Sequence, residues 1–149
     1  MNQINIKNKK VKFEYHLEEI FEAGMVLMGS EIKVLRQNKG SIKEAYCVFE
    51  GNELFIRNMH IPEYEKASFN KPYPRRDRKL LLNRIELNKL FKKVKTKGFT
   101  IVPVKLYLSD KGKVKIQIAL ASGKKIHDKR EDMKAKDAKR EMDRIKKNF

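Results

Sequence analysis

The run KVKIQIAL, residues 113–120, constrains the fold more than any other segment of the chain. Side chains of a β-strand point alternately to its two faces, and here the apolar residues fall on one face: Val114, Ile116, Ile118 and Leu120. Lysine and glutamine occupy most of the other face, so the run predicts a half-buried antiparallel strand with one basic side. FTIVPVKLYLS, residues 99–109, precedes it across Asp110-Lys111-Gly112 and predicts the neighbouring strand.

A second pair of strands is predicted upstream. The run YCVFEGNELFIRNMHI holds two β-rich stretches on either side of Gly51-Asn52, a two-residue turn signal typical of a β-hairpin. The following stretch, residues 61–79, contains Pro62, Pro72 and Pro74 among polar residues and predicts an irregular loop.

Two helices are predicted. In HLEEIFEAG, residues 16–24, the residues Leu17, Ile20 and Phe21 have helical spacing and Gly24 stands at the end, which predicts a short helix. MVLMG, residues 25–29, then predicts a strand. SEIKVLRQNKG, residues 30–40, fits a strand or a helix, and its periodicity does not decide between them.

The second helix is predicted within RKLLLNRIELNKLFKKVKTKG, residues 78–98. Asn83 is a suitable N-cap, and Glu86 three residues later completes a capping-box pattern. Gly98 marks the expected end. The predicted apolar stripe consists of Leu82, Ile85, Leu87, Leu90, Phe91 and Val94.

These elements predict a mainly β protein with accessory helices. A small closed antiparallel barrel of the Greek-key OB type removes sheet edges and suits this pattern, and a split β-sheet is the alternative. We expect one RNA-binding barrel over residues 1–121, which begins with a basic arm at residues 1–12, and a separate basic tail over residues 122–149.

The charge of the chain predicts its class of partner. The 149 residues include 36 Lys+Arg and 19 Asp+Glu, a formal net charge of +17. A run of charge at one terminus is often only a solubility tail, but here the positive excess is spread over the arm, residues 71–79, the end of the second helix and the tail. Release of counterions favours binding of such a surface to nucleic acid.

Other classes of protein fit the composition poorly. The chain has no apolar run near the roughly 20 residues of a membrane span and begins without a signal-peptide pattern. Its single cysteine, Cys47, cannot form an internal disulfide, and its three histidines are too widely spaced for a zinc site. We therefore expect a cytoplasmic protein that does not bind a membrane, a metal ion or a cofactor.

The tail differs in composition from the rest of the chain. Its 28 residues from Ser122 include 11 Lys+Arg and 6 Asp+Glu. The remaining apolar side chains are too few to offset the entropy lost on ordering, so we expect the tail to be disordered in the free protein. One helical face nevertheless collects Ala138, Met142, Ile145 and Phe149, which predicts a helix that forms against a partner.

Three residues raise questions of chemistry. His127 beside Asp128 could suggest acid–base catalysis, but an unpacked tail cannot hold catalytic groups in place, so contact with a base or phosphate is favoured. Tyr15 fits either stacking on an unpaired base or ordinary half-burial on a barrel. Glu22 fits either an ion pair with a neighbour or acceptance of hydrogen bonds from base amino groups.

Four stretches taken together resemble the SsrA-binding protein, or small protein B, family: NKKVKFEY, FEAGMVLMGSEIKVLR, RKLLLN and GKKIHDKRED. The resemblance extends from about Asn8 to Lys147. It implies an OB-like barrel that binds the tRNA-like domain of transfer-messenger RNA (tmRNA, or SsrA RNA). It further implies trans-translation at stalled ribosomes, together with elongation factor Tu and GTP acting on alanyl-tmRNA. Such a protein is a monomer when free and is not an enzyme.

The resemblance also assigns roles to residues. Tyr15 matches the family's RNA-stacking tyrosine, Glu22 the acid of FEAG, and Leu81 and Asn83 the RKLLLN positions that the tRNA-like domain requires. The family often has histidine where this chain has Phe13, which puts a polar contact there in doubt. As further RNA-binding residues of the body we expect the basic side chains Lys9, Lys10, Arg36, Arg78 and Lys79.

In the tail, the motif at His127, Asp128, Lys129 and Arg130 is expected to be read by the decoding centre and the small-subunit ribosomal RNA. The empty message channel is expected to contact Lys124, Lys125, Lys134, Lys139, Arg140, Met142 and Ile145. An OB-fold ribosomal protein or initiation-type factor is the alternative function, and a nuclease acting through the tail is a third.

Overall fold

The computed structural model describes residues 4–66, 71–96 and 98–123, together with Lys139, Arg140 and Met142. Within these residues it has seven strands and three helices. In chain order they are β1 (Asn5–Lys7), α1 (Val11–Glu14), β2 (Tyr15–Met25), α2 (Gly29–Arg36), β3 (Tyr46–Glu50), β4 (Glu53–Arg57), β5 (Arg78–Leu81), α3 (Arg84–Val94), β6 (Phe99–Leu108) and β7 (Val114–Gly123).

The strands form one antiparallel sheet that closes on itself. The pairings run from β6 through β3, β4, β5, β2 and β7, and β7 pairs again with β6. β1 adds to β6 outside this ring. The prediction of a mainly β, OB-like closed sheet with accessory helices is confirmed, and the split sheet is not what the pairings show. Every strand of the ring has a paired neighbour on both sides, although β3 meets β6 at one residue pair and β2 meets β5 at two.

The inward-facing apolar residues of β7 form the centre of the hydrophobic core. Its even-numbered apolar residues point inward as predicted, and Ile116 and Ile118 are fully buried. Leu35, Leu54, Ile56, Leu80, Ile101 and Leu106 are buried beside them. On the other side of β7, Ala119 and Ala121 are also buried, because α1 packs Val11 against them and against Val102. Half of the outward side of β7 is therefore covered.

The N-terminal arm is better anchored than its charge suggested. Ile4, Ile6 and Val11 are buried, and β1 pairs with residues 105–107 of β6. The charged side chains of the arm remain exposed between these apolar anchors. Residues 4–12 of the expected basic arm therefore belong to the folded body.

The prediction of a helix over residues 16–24 was wrong, because these residues belong to β2. The register of β2 against β7 shifts between Leu17 and Glu19, as in a β-bulge. Ile20 lies opposite Ala119 and Leu17 opposite Ala121, so they share one face although they are three residues apart. A spacing of three on one face is also what a helix gives, and the bulge therefore imitated a helical pattern.

The neighbouring segments divide differently from the prediction. Only Met25 of the predicted strand 25–29 is in a strand, and Gly29 already opens α2. The undecided segment 30–40 is largely helical. Glu31 stabilises the N-terminus of α2, because its carboxylate accepts a hydrogen bond from the backbone N–H of Met28 (3.0 Å), as the third residue of a capping box does.

The hairpin and the second helix are confirmed. Gly51, with a positive φ of 61°, turns the chain between β3 and β4. In α3, Leu87 and Leu90 are buried, but Ile85 is 81% exposed and does not belong to the apolar stripe. The helix ends at Val94, before the predicted Gly98. Residues 78–81, placed by the sequence in the loop and in the start of this helix segment, form β5.

An ion pair lies inside the fold. Arg78 is fully buried and Glu31 is 2% exposed. Nε of Arg78 donates to Oε2 of Glu31 (2.8 Å), Nη1 to the carbonyl of Met59 (2.6 Å) and Nη2 to the carbonyl of Pro74 (3.0 Å). Arg76 donates to the same carboxylate. The pair thus ties α2 to β5 and to the loop that leads into it.

The environment favours the charged form of this carboxyl group. Burial raises the pKa of Glu31, but hydrogen bonds from Arg76, from the backbone of Met28 and from Arg78 outweigh burial and hold the pKa below its ordinary value. A group with a depressed folded-state pKa stabilises the protein above its unfolded pKa, about 4.3 for glutamate, and this contribution is lost as the pH falls through the folded value.

We predict that Glu31→Gln lowers the free energy of unfolding at pH 7 by about 3–5 kcal/mol, because it leaves a buried arginine without its counter-charge. Denaturant unfolding measures the change. Glu53→Gln is the matched control, since Glu53 pairs with Lys79 (2.8 Å) at a half-exposed site, where a pair contributes only about 0–1 kcal/mol. The difference between wild type and Glu31→Gln should shrink below about pH 4.3; a difference that stays constant down to pH 3 would contradict this account.

Cys47 lies buried on β3, and burial raises the pKa of its thiol. Because the thiolate is the reactive form, we predict that iodoacetamide alkylates Cys47 in the native protein at least about 100-fold more slowly than in the unfolded chain, since exposure requires an opening of the ring. Mass spectrometry of the time course measures the ratio. Equal rates would show that β3 is not held in the sheet.

Candidate RNA interface

The bulge in β2 decides which side chains share a surface. Without it, Tyr15 and Glu22, seven residues apart, would point to opposite faces of the sheet. With it, Tyr15 lies opposite Gly123 and Glu22 opposite Gln117, and both partners are odd-numbered residues of β7. Tyr15 and Glu22 therefore point to the same side of the ring, which we call the outer face.

The outer face continues over the two neighbours of β2. On β7 it carries Lys115 and Gln117, and on β6 their register partners Tyr107 and Lys105. On β5 it carries Leu81, which lies opposite Gly24 of β2. Leu81 and Lys115 both approach Gly24: a Cβ atom there would lie 3.4 Å from Cβ of Leu81 and 3.7 Å from Nζ of Lys115, which is ordinary van der Waals contact.

Tyr15 lies at one end of the outer face. Its side chain is half-buried against the small apolar cluster beneath α1, so part of the ring stays accessible. Lys9 and Lys10 are exposed just before α1, and Phe13 within it is 51% exposed. Gly123, the partner of Tyr15, is the last residue of β7. The Tyr15 end thus combines aromatic surface, positive charge and the origin of the tail.

Glu22 lies toward the other end, about 20 Å away along β2. It is exposed and lies close enough to Tyr107 for its carboxylate to act on the pKa of the Tyr107 hydroxyl. Nζ of Lys105 lies 5.6 Å from the centroid of the Tyr107 ring. Burial, followed by the bond to Glu22, raises the pKa of Tyr107 to about 12, so the hydroxyl keeps its proton at neutral pH.

Sequence reasoning did not single out Tyr107 or Lys105. The alternation in KLYLS could have placed both on one strand face, but their position beside Glu22 depends on two registers that only the fold provides.

Leu81 and Asn83 extend the surface beyond Glu22. Leu81 is 50% exposed, which is unusual for a leucine in a closed sheet. Asn83 is exposed and caps α3: its Oδ1 accepts a hydrogen bond from the backbone N–H of Glu86 (2.8 Å). The carboxylate of Glu86 in turn accepts a hydrogen bond from the backbone N–H of Asn83 (3.4 Å). The cap uses only Oδ1, so the Nδ2 group of the same amide is outside it.

Arg36 joins this end of the surface across a cavity. The cavity measures about 310 Å³ and lies between β2, α2 and the turn before β7. Its walls include Met25, Ile32 and Leu81, with Arg36 and Lys113 among the basic residues that line it. Arg36 is exposed and carries its charge beside Leu81.

Two of the expected basic contacts have other partners. Arg78 is fully buried with Glu31, so its guanidinium has no surface to offer a phosphate, and the expectation that it contacts RNA does not hold. Lys79 is half-exposed and paired with Glu53, which leaves it accessible to a competing phosphate.

The tail residues fall almost wholly outside the described part of the chain. Outside it lie Lys124, Lys125, His127, Asp128, Lys129, Arg130, Lys134 and Ile145. The tail was expected to begin at Ser122, but Ser122 and Gly123 are the last two residues of β7. Lys139, Arg140 and Met142 are described, and all three are exposed and helical.

The described residues also bear on metal binding and membrane insertion. Among them, no three His, Cys, Asp or Glu side chains come together as metal ligands would. None of their helices is long and apolar enough to cross a membrane.

Comparison with known proteins gives a consistent result. A family model described as SmpB protein matches residues 5–148. Proteins named SsrA-binding protein match at 53% identity over 146 residues in Cytophaga hutchinsonii, covering 98% of this chain and 95% of that protein, and at 52% over 142 residues in Phocaeicola vulgatus, covering 95% of each.

A solved structure is also similar. It is described as "tmRNA-SmpB: a journey to the center of the bacterial ribosome", and one of its chains matches with a TM-score of 0.69 and 41% identity, covering 83% of this chain and 86% of that one. The family model spans nearly the whole chain, and the fold agrees with the sequence comparison. The chain belongs to the SmpB protein family.

Proposed function

We propose that this protein binds the tRNA-like domain of tmRNA and brings it to stalled ribosomes for trans-translation. The names of its relatives and the tmRNA–ribosome setting of its structural neighbour support this function. The structural observation that carries it is the β2 bulge, because it brings Tyr15, Glu22 and Leu81 onto one accessible face of the ring.

The outer face is suited to folded RNA with some unpaired bases. Tyr15 offers an aromatic surface for a base, and such stacking contributes about 1–3 kcal/mol. Glu22 offers carboxylate oxygens, which accept hydrogen bonds from exocyclic amino groups. The Nδ2 group of Asn83 donates to an acceptor of the RNA. Phosphates are bound by the exposed cations of the body: Lys9, Lys10, Arg36 and Lys79.

The tail has a separate task in this proposal. It leaves the ring at Gly123, beside Tyr15, and enters the empty message channel, where the motif from His127 to Arg130 contacts the decoding centre. Lys124, Lys125, Lys134, Lys139, Arg140, Met142 and Ile145 then line the path through the channel. Elongation factor Tu with GTP carries the alanyl-tmRNA complex. The protein acts by binding, without catalysis or cofactor, in the cytoplasm where ribosomes stall.

Asn83 allows a test that separates folding from RNA binding. Serine also caps a helix but has no amide donor, so Asn83→Ser should keep the stability of the protein within about 0.5 kcal/mol, whereas Asn83→Ala should lose about 1 kcal/mol. If Nδ2 donates to RNA, both variants lose about five- to tenfold in affinity for the tRNA-like domain. Thermal unfolding and fluorescence anisotropy measure the two effects. Wild-type affinity of Asn83→Ser would limit the role of Asn83 to capping.

Removal of the tail tests the division of labour. Because β7 is paired with β2 up to Gly123, a chain that ends there keeps every strand of the ring. We predict that it binds the tRNA-like domain within about tenfold of wild type, or 1.4 kcal/mol, and supports no peptide tagging on stalled ribosomes in a reconstituted translation assay.

The full-length protein in the same assay and a melting curve of the shortened chain are the controls. A larger loss of affinity with an unchanged melting temperature would show that the tail takes part in binding free tmRNA. Tagging at the normal rate would show that the tail has no part in trans-translation.

A further inference from the structure

The side chain of Glu22 has no fixed orientation of its own for contact with a base. It is an exposed side chain on a strand, and an exposed glutamate samples several rotamers about its side-chain bonds. Ordering such a side chain on binding costs conformational entropy, which weakens any contact that it makes. A group that held the carboxylate in place before RNA arrives would remove part of this cost.

Tyr107 is placed to do this. β6 and β2 both pair with β7, so Tyr107 and Glu22 lie on the two strands that flank it. Tyr107 is opposite Lys115, and Glu22 is opposite Gln117 on the next outward position of β7. Both side chains therefore lie on the outer face at neighbouring positions on either side of β7, where the hydroxyl of Tyr107 faces the carboxylate of Glu22 across the strand.

The chemistry of the donor matters because the surroundings are basic. Lys105 lies beside the Tyr107 ring, Lys7 is opposite Lys105 on β1, and Lys115 extends over Gly24. A lysine that paired with Glu22 would orient the carboxylate but also cancel its charge. A neutral phenol orients it and leaves the negative charge available, and a hydrogen bond to an ionised acceptor is stronger than one between neutral groups.

We propose that Tyr107 is a positioning residue for RNA recognition, which holds one carboxylate oxygen of Glu22 so that the other faces an exocyclic amino group of an unpaired base. This inference rests on the proposed function, because it concerns the same RNA surface. It adds a residue that does not itself read the base and acts through Glu22.

A double-mutant cycle tests the inference. Tyr107→Phe removes the hydroxyl and keeps the ring, and Glu22→Gln removes the charge of its partner. Affinity for a transcript of the tRNA-like domain is measured at fixed salt for wild type, both single variants and the double variant. We expect Tyr107→Phe to weaken binding about fivefold in the wild-type background and by less than about twofold in the Glu22→Gln background. Tyr46→Phe, at an exposed hydroxyl on β3, is the matched control and should leave affinity unchanged.

The outcomes separate the possible failures. No loss for Tyr107→Phe in the wild-type background overturns the inference. An equal loss in both backgrounds shows that Tyr107 contacts RNA directly, which also overturns it. If Glu22→Gln itself binds like wild type, the result contradicts the role of Glu22 in the proposed function, and the role of Tyr107 through Glu22 falls with it.

A measurement without RNA tests the contact itself. In protein labelled with ¹³C at Cζ of tyrosine, the resonance missing from Tyr107→Phe identifies Tyr107. That resonance should move in Glu22→Gln, because a neutral amide replaces the charged acceptor of the hydrogen bond from the hydroxyl, while the Tyr46 resonance should not. An unmoved Tyr107 resonance would show that Tyr107 does not hold Glu22, whatever the RNA affinities are.

Discussion

Ring closure by β7 is the constraint on which the rest of the molecule depends. This strand pairs with β2 on one side and β6 on the other, and both pairings contain one irregularity, between Leu17 and Glu19 and between Pro103 and Lys105. Bulges bend a strand and increase its local twist, which a sheet of six strands needs in order to close. The same two irregularities set which residues point outward, so curvature and surface chemistry have one origin.

The ring also explains how a chain of high positive charge keeps a well-packed interior. Charges are almost all on the outside, and the one buried pair, among the residues that the structure describes, is Glu31 with Arg78. Arg78 satisfies its donors with Glu31 and with the carbonyls of Met59 and Pro74. This pair anchors the proline-containing loop, a segment whose composition offers little apolar area for packing.

Much of the fold could be predicted from local patterns, and the exceptions have definite causes. Strict alternation identified β7, and the Asn83–Glu86 capping pattern located the start of α3, because both signals depend on residues close together in sequence. The bulge in β2 produced a spacing shared with helices, so residues 16–24 were assigned to the wrong element. Arg78 resembled a phosphate contact because sequence does not show that Glu31, 47 residues away, encloses its guanidinium. The surface position of Glu22 beside Tyr107 could not be predicted either, since it combines three strands.

The bulge also has a consequence for how such a chain can vary over time. A substitution at the exposed Glu18 alters one side chain and leaves the register of β2 unchanged. A single-residue deletion between Tyr15 and Glu22 would instead keep both side chains on one face only by removing the bulge, and the bend that the bulge gives to β2 would be lost with it. The number of residues in this interval therefore links the surface of the ring to its curvature. It should be held more tightly than the identity of the amino acids that fill it.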